Sequence, residues 1–287
     1  MEASDIRTVG VIGCGLMGAG IAEVCSRSGF SVVVREVDTE RLQKGLGSLR
    51  ASLTRAVAKG KLTQDEMEAI YGNIHGTMDP GDLSDCDIVI EAAAENMALK
   101  KEIFKELDRT CKPDALLTSN TSSLCITEIA SATNRPEQVL GLHFFNPVPV
   151  MPLLEIVPGL LTPPEVLDTA CQFGQVLGKT AVITKDRPGF IVNLLLVPFL
   201  LDAIGWLDAN LATREDIDSA VRLGLGHPMG PLSLSDFIGL DTVLSIADAL
   251  YGDLREPRYV APPLLRRMVQ AGLLGRKSGR GFYTYSG

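Results

Sequence analysis

Residues 8–36 constrain the fold more than any other stretch of this 287-residue chain. The apolar, β-branched run Thr8 to Ile12 passes into the glycine-dense turn Gly13-Cys14-Gly15-Leu16-Met17-Gly18. The helix-like Met17 to Arg27 follows, and then a second β-branched run, Ser31 to Val34. Strand, turn, helix and strand in this order form a β-α-β unit, which makes the two strands parallel and starts a sheet with helices on its faces. The GxGxxG spacing has a physical reason at each glycine. Gly13 permits the tight turn, Gly15 lets the backbone approach a pyrophosphate, and Gly18 lets helix and strand pack closely. The pyrophosphate would rest on the N–H groups of the helix start, where Leu16 and Met17 form the first turn. Glu36 follows the second strand and can accept hydrogen bonds from ribose hydroxyls while repelling a 2′-phosphate. NAD is therefore expected rather than NADP, with the neighbouring Arg35 weighing the other way.

The expected fold is α/β, a Rossmann-type doubly wound sheet with a helical-hairpin insertion, followed by an all-α C-terminal domain. The hairpin is the charged, helical stretch Thr39 to Tyr71, broken at Gly60-Lys61, with Thr63 and Glu66 spaced as a capping box; it is expected to project from the sheet. Further strands are expected at Ile88 to Ile90, Leu116 to Thr118, Val139 to Leu142, Leu153 to Val157 and Ala181 to Thr184. Helices are expected at Lys100 to Arg109 and Ile126 to Ser131, with another capped by Thr162 ahead of Pro163 and Pro164. Asp186-Arg187-Pro188-Gly189 reads as a linker, dividing the chain into residues 1–185 and 186–287. Beyond it strand signals vanish, and helices are expected at Phe190 to Asp208, Thr213 to Arg222, Leu232 to Leu250 and Pro263 to Ala271.

A hydrophobic content of 46% supplies ample apolar surface for packed cores. The net charge of -8 argues against a general nucleic-acid binder, so an anionic ligand must be met by local cations. Ser48, Ser52, Arg55 and Lys59 make such a polar, positive stripe on one helical face, although a merely solvated face has the same pattern. The six cysteines contain no CxxC pair and the three histidines are scattered, so neither a metal site nor a disulfide framework is expected, and a reducing compartment is. The N-terminus lacks the pattern of a signal peptide, which makes a cytoplasmic location the expectation. Phe190 to Leu207 approaches membrane-spanning length, but Asn193, Pro198 and Asp202 within it point to a buried helix and no membrane partner.

The chemistry centres on Gly141 to Gly159, which sets His143 after one strand and Glu155 on the next. A carboxylate bonded to one imidazole nitrogen would leave the other to move a proton near neutral pH, though a satisfied core histidine fits the spacing equally well.

Together with VIGCGLMGAGIA, IEAAAENMALKKEIF, SNTSSL, GLHFFNPVPVMPLLEIV, DRPGFIVNLLL, GHPMGPLSLSDFIGLD and GRKSGRGFYTY, these residues resemble the 3-hydroxyacyl-CoA dehydrogenase family, its bacterial 3-hydroxybutyryl-CoA members included, over essentially the whole chain. The resemblance implies an NAD-dependent oxidoreductase that interconverts 3-hydroxyacyl-CoA and 3-oxoacyl-CoA. It implies His143 as base with Glu155 as its partner, and Ser122 and Asn193 as further catalytic, substrate-holding residues. It also implies that Glu95, Lys100 and Asn120 lie near the nicotinamide, that Ser52 and Lys59 lie against the nucleotide end of coenzyme A, and that the C-terminal domain forms a homodimer. Glu36 departs from the aspartate frequent in the family. Two other readings stay open: a related dehydrogenase of a free hydroxy acid or sugar acid, and a non-catalytic NAD-binding protein.

Overall fold

The computed structural model describes residues 3–285. Within them the chain divides into two compact units, one ending at Arg187 and the other beginning at Pro188.

The first unit is built on one eight-stranded sheet. Its elements are β1 (Thr8–Ile12), α1 (Leu16–Arg27), β2 (Ser31–Arg35), α2 (Thr39–Ala58), α3 (Gln64–Gly72), β3 (Ile74–Thr77), β4 (Ile88–Glu91), α4 (Met97–Thr110), β5 (Leu116–Ser119), α5 (Ile126–Ala130), β6 (Val139–Phe144), β7 (Leu153–Pro158), α6 (Pro164–Val176) and β8 (Thr180–Ile183). The order β3-β2-β1-β4-β5-β6-β7-β8 is parallel as far as β6. The short β6–β7 connection contains no crossover helix, so β7 turns antiparallel, and α6 then carries the chain back to a parallel β8. Central strands covered on both faces read as apolar runs: Val9, Val11, Ile88, Ile90 and Leu117 are all fully buried.

Several expectations need correction. β3 was not anticipated. Its sequence, IHGT, is short, half-buried and interrupted by glycine, as an edge strand beside β2 can be, and it gives no apolar periodicity to read. The α2–α3 hairpin does not simply project. Leu42, Leu49 and Leu53 of α2 enter the same core as α1, and a Cβ on Gly45 would lie 2.1 Å from the Cys14 carbonyl oxygen, so α2 rests directly on the glycine-rich loop. Thr162 does not cap α6, whose N-cap is Pro163. Its hydroxyl instead donates to the Val139 carbonyl at 2.7 Å and accepts from the Gly159 N–H at 2.9 Å, tying that turn to β6. The capping box of α3 is present in both halves, through Thr63 and Glu66.

The second unit holds α7 (Val192–Asp208), α8 (Arg214–Leu225), α9 (Pro231–Ile238), α10 (Leu240–Leu254) and α11 (Pro263–Gln270). The single helix expected over Leu232 to Leu250 is two, because Gly239 between α9 and α10 adopts φ +101°, which a continuing right-handed helix forbids. Strand pairing does not vanish entirely, since isolated bridges join Gly275 to Arg280 and Arg280 to Thr284. α7 buries Val197, Leu200, Leu201 and Ile204 in this unit's core, and among the described residues no helix is long and apolar enough to cross a membrane.

Two buried aspartates organise this unit. Asp218 accepts from the N–H groups of Leu232 and Ser233 at 2.8 and 2.9 Å, satisfying the start of α9. Asp236 accepts from the N–H groups of Phe282 and Tyr283 and from the Tyr285 hydroxyl, pinning the C-terminal segment. A Cβ on Gly281 would lie 1.9 Å from the Asp236 carboxylate, so the glycine is a packing requirement.

Candidate active site

The antiparallel register of β6 and β7 sets His143 directly opposite Glu155. His143 lies within β6 rather than after it, as the sequence had suggested. Its Nδ1 is 2.7 Å from Glu155 Oε2, with His143 6% and Glu155 0% exposed. The carboxylate accepts, so Nδ1–H donates, and Glu155 holds the ring in one orientation. The Phe145 ring packs against the imidazole with centroids 4.6 Å apart. Asn120, at the end of β5, accepts from the Phe144 N–H at 2.9 Å, clasping β5 to β6 one residue from the imidazole.

A second polar cluster lies at the ends of β4 and β5. Lys100 is 1% exposed and its Nζ donates to both oxygens of the fully buried Glu91, at 2.6 and 2.8 Å. Glu91 also accepts from the Ser119 hydroxyl at 2.6 Å and the Ala93 N–H at 2.7 Å. Glu95 lies 3.5 Å from the same ammonium, and its Oε1 gathers the Thr121 hydroxyl at 2.6 Å together with the N–H groups of Ser122 and Ser123 at 2.9 and 3.1 Å. The Ser122 hydroxyl reaches that oxygen too, at 3.2 Å. Burial pushes the Glu95 carboxyl up, but Lys100 and these hydrogen bonds outweigh it and hold the group below the usual carboxylate range. Lys100 is thus no surface charge, and Glu91, Ser119, Thr121 and Ser123 escaped the sequence reading. One signal was available: Glu91 closes the otherwise apolar strand IVIE, where a charge needs a buried partner.

The glycine-rich loop has the geometry its sequence implies. Gly13 adopts φ +91°, and a Cβ on Gly18 would lie 1.8 Å from the Gly13 carbonyl oxygen. Gly15 faces open space and caps α1 without a side-chain bond, so the N–H groups at Leu16, Met17 and Gly18 begin the helix with no side-chain cap. Glu36 is held from two sides: one oxygen accepts from the Cys14 N–H at 2.8 Å, the other from the Val37 N–H at 3.0 Å. The loop borders two clefts, and Glu36 lines both. One, of about 520 Å³, runs along α4 past Arg35 and Leu99. The other, of about 560 Å³, runs along α2, where Arg41, Lys44, Ser48, Ser52 and Arg55 line it. Arg41 and Lys44 were not singled out from sequence. Lys59 stands exposed just past the end of α2 and is not among that lining. An open glycine backbone, an uncapped helix start and a fixed acid after β2 fit a dinucleotide.

In the second unit, Asn193 sits in the first turn of α7, 9% exposed, its N–H donating to the Gly189 carbonyl at 3.1 Å. Burial, assisted by Glu36, pushes the Cys14 thiol up to about 11, and burial takes Cys25 and Cys86 to about 12, which leaves these thiols without nucleophilic character near neutral pH. Among the described residues no group of three or more His, Cys, Asp or Glu is placed to hold a metal ion.

An oriented imidazole on the sheet that carries a dinucleotide loop can take a hydroxyl proton as the carbinol carbon gives up two electrons, which is the work of a nicotinamide-dependent alcohol dehydrogenase. The family model for the NAD-binding domain of 3-hydroxyacyl-CoA dehydrogenase matches residues 8–187, and that for its C-terminal domain matches residues 189–285. A 3-hydroxybutyryl-CoA dehydrogenase of Mycobacterium tuberculosis is 53% identical over 282 residues, 98% of this chain and 99% of that protein. Among solved structures, M. tuberculosis FadB2 matches with a TM-score of 0.96 at 53% identity, covering 98% of this chain and 99% of that one. The (S)-3-hydroxybutyryl-CoA dehydrogenase PaaH1 of Ralstonia eutropha matches with a TM-score of 0.93 at 43% identity, covering 99% and 100%. The chain belongs to the 3-hydroxyacyl-CoA dehydrogenase family, and NAD is its cofactor.

Proposed function

We propose that this NAD-dependent dehydrogenase interconverts short-chain (S)-3-hydroxyacyl-CoA, 3-hydroxybutyryl-CoA foremost, and the corresponding 3-oxoacyl-CoA, in the fatty-acid or butyrate metabolism of the cytoplasm. The observation that carries the proposal is the 2.7 Å bond between His143 Nδ1 and the buried Glu155. In oxidation His143 Nε2 takes the proton of the 3-hydroxyl, and Glu155 steadies the imidazolium that forms; in reduction the same nitrogen returns the proton. NAD, when bound, supplies the two-electron acceptor. Ser122 and Asn193 are proposed to hydrogen-bond the substrate oxygens and hold the reacting carbon in place. Glu95 and Lys100 steady the Ser122 loop near the nicotinamide end, and Asn120 steadies the end of β6.

The 560 Å³ cleft along α2 suits the phosphates of coenzyme A, because Arg41, Lys44 and Arg55 give an acidic protein the local positive charge a polyanion requires. Ser52 belongs to that lining, and Lys59 is proposed to add a weaker contact from beyond the helix end. The second unit exposes Leu195, Trp206, Leu211, Leu223 and Leu225, apolar surface of the kind a homodimer covers, and a homodimer through this unit is part of the proposal.

The test follows NADH absorbance with acetoacetyl-CoA, with acetoacetate and with no ketone. Turnover is expected with the thioester alone. Equal turnover of free acetoacetate would replace the acyl-CoA reading with that of a hydroxy-acid dehydrogenase, and no turnover of either would remove the catalytic one.

A further inference from the structure

Arg35 is the residue that complicates a preference for NAD, since a guanidinium beside the ribose-binding acid is what accommodates a 2′-phosphate in folds of this kind. Its surroundings in the 520 Å³ cleft decide what it can do. Side chains alternate across a strand, so Val32 and Val34 point into the core against α1 while Arg35 takes the opposite face of β2, toward α4. There its guanidinium NH1 lies 3.1 Å from Glu106 Oε2, and Arg35 and Glu106 line the same cleft as Gly15 and Glu36. The Arg35 side chain is only 15% exposed, against 33% for Glu106, and its Nε finds no partner among the described residues.

We propose that Glu106 is a specificity-determining residue: by pairing with Arg35 it withholds from a 2′-phosphate the partly buried cation that precedes Glu36 on β2. The inference rests on the reading of Glu36 as the ribose-binding acid. A 2′-phosphate entering the cleft would have to draw Arg35 away from Glu106, leaving that carboxylate unpaired beside a doubly charged group, with Glu36 held rigidly on the other side. NAD brings only hydroxyls to this place and disturbs neither pair. Discrimination then comes from two carboxylates, one that meets the ribose and one that occupies the competing cation. The other cations of the cleft are more exposed than Arg35: Arg41 lies 3.3 Å from Asp38 at the start of α2, and Arg109 donates to the Lys105 carbonyl at 3.2 Å.

The test is equilibrium binding of NADH and NADPH, followed by nucleotide fluorescence, to the wild type, Glu106→Gln and the double variant Arg35→Gln/Glu106→Gln. Glutamine preserves size on a partly exposed helical position, and the unchanged binding of NADH reports that the cleft stays folded. Glu106→Gln should tighten NADPH binding about tenfold, the worth of one charge-assisted hydrogen bond, while NADH binding changes less than about twofold. Adding Arg35→Gln should return NADPH to its wild-type affinity. Unaltered NADPH binding in Glu106→Gln overturns the proposal, and so does a gain that survives loss of Arg35, which would make it a matter of net charge. Wild-type protein that binds NADPH as tightly as NADH would overturn the Glu36 reading and this proposal together, a result visible before any variant is made.

Discussion

In the first unit the carboxylates without exposed surface face side chains that carry protons: Glu155 meets His143, and Glu91 meets Lys100. In the second unit Asp236 is as deeply placed and Asp218 is 8% exposed, yet these two accept from backbone N–H groups and hydroxyls, at the start of α9 and along the C-terminal segment. The side-chain donors they do have are hydroxyls that keep their protons; burial first, and then Asp236, pushes Tyr285 up to about 12. A buried charge costs free energy in either place unless it is fully bonded. What differs is the partner. A carboxylate bonded to an imidazole changes that ring's chemistry, whereas a carboxylate bonded to peptide N–H groups only ends a helix or anchors a strand. Several of the family-like motifs, GHPMGPLSLSDFIGLD and GRKSGRGFYTY among them, therefore specify architecture.

The contrast is most exposed at His143. His143→Ala should lower kcat by a factor on the order of 10² to 10⁴, the usual contribution of a positioned acid-base group, with NADH affinity nearly unchanged. Stopped-flow absorbance checks the chemical step, and a rate close to wild type would end the distinction between the two kinds of buried carboxylate on the catalytic side. Asp236→Ala should do the converse. Loss of its charge-assisted bonds to Phe282 and Tyr283 should cost about 3 kcal/mol of stability, seen as a lower melting midpoint, while kcat per folded molecule holds. A stable Asp236→Ala protein with impaired chemistry would place that aspartate in the other class.

The smallest effect is expected at Glu95, which bridges the categories by lying 3.5 Å from the Lys100 ammonium while accepting from backbone N–H groups. Its carboxyl is held below the ordinary value in the folded state, so it adds stability above its unfolded value of about 4.3, and that contribution is lost as the pH falls through the folded value. Glu95→Gln should accordingly flatten the acid limb of melting temperature against pH, below about pH 5, and leave Lys100 paired with Glu91. An acid limb parallel to that of the wild type would mean that Glu95 is solvated and contributes nothing.

Much of the fold was legible because its signals are local. The period of the apolar residues, the glycine spacing at Gly13, Gly15 and Gly18, and the capping pair Thr63 and Glu66 all act within a few residues of one another, and the β-α-β unit follows from them. β3 was not legible, because an edge strand with one buried residue in four carries little periodicity. The break at Gly239 was hidden for a related reason: a single glycine inside an apolar helical pattern has the same letters whether or not it turns the chain.

For the candidate site the division is sharper. Sequence alone determined which residue types were present and roughly where: an imidazole after one strand and a carboxylate on the next, an acid after β2, and small residues in the glycine-rich turn. Tertiary structure decided who meets whom. The antiparallel register of β6 and β7 turned His143 and Glu155 into a bonded pair, and burial drew Lys100 back onto Glu91 when a helix start would have read as solvated. The close approach of α4 to β2 gave Arg35 its partner in Glu106. The physical reason is the same in each case. Secondary structure is set by interactions between near neighbours, whereas the partner of a charge is set by desolvation, which exists only once distant segments have closed around it.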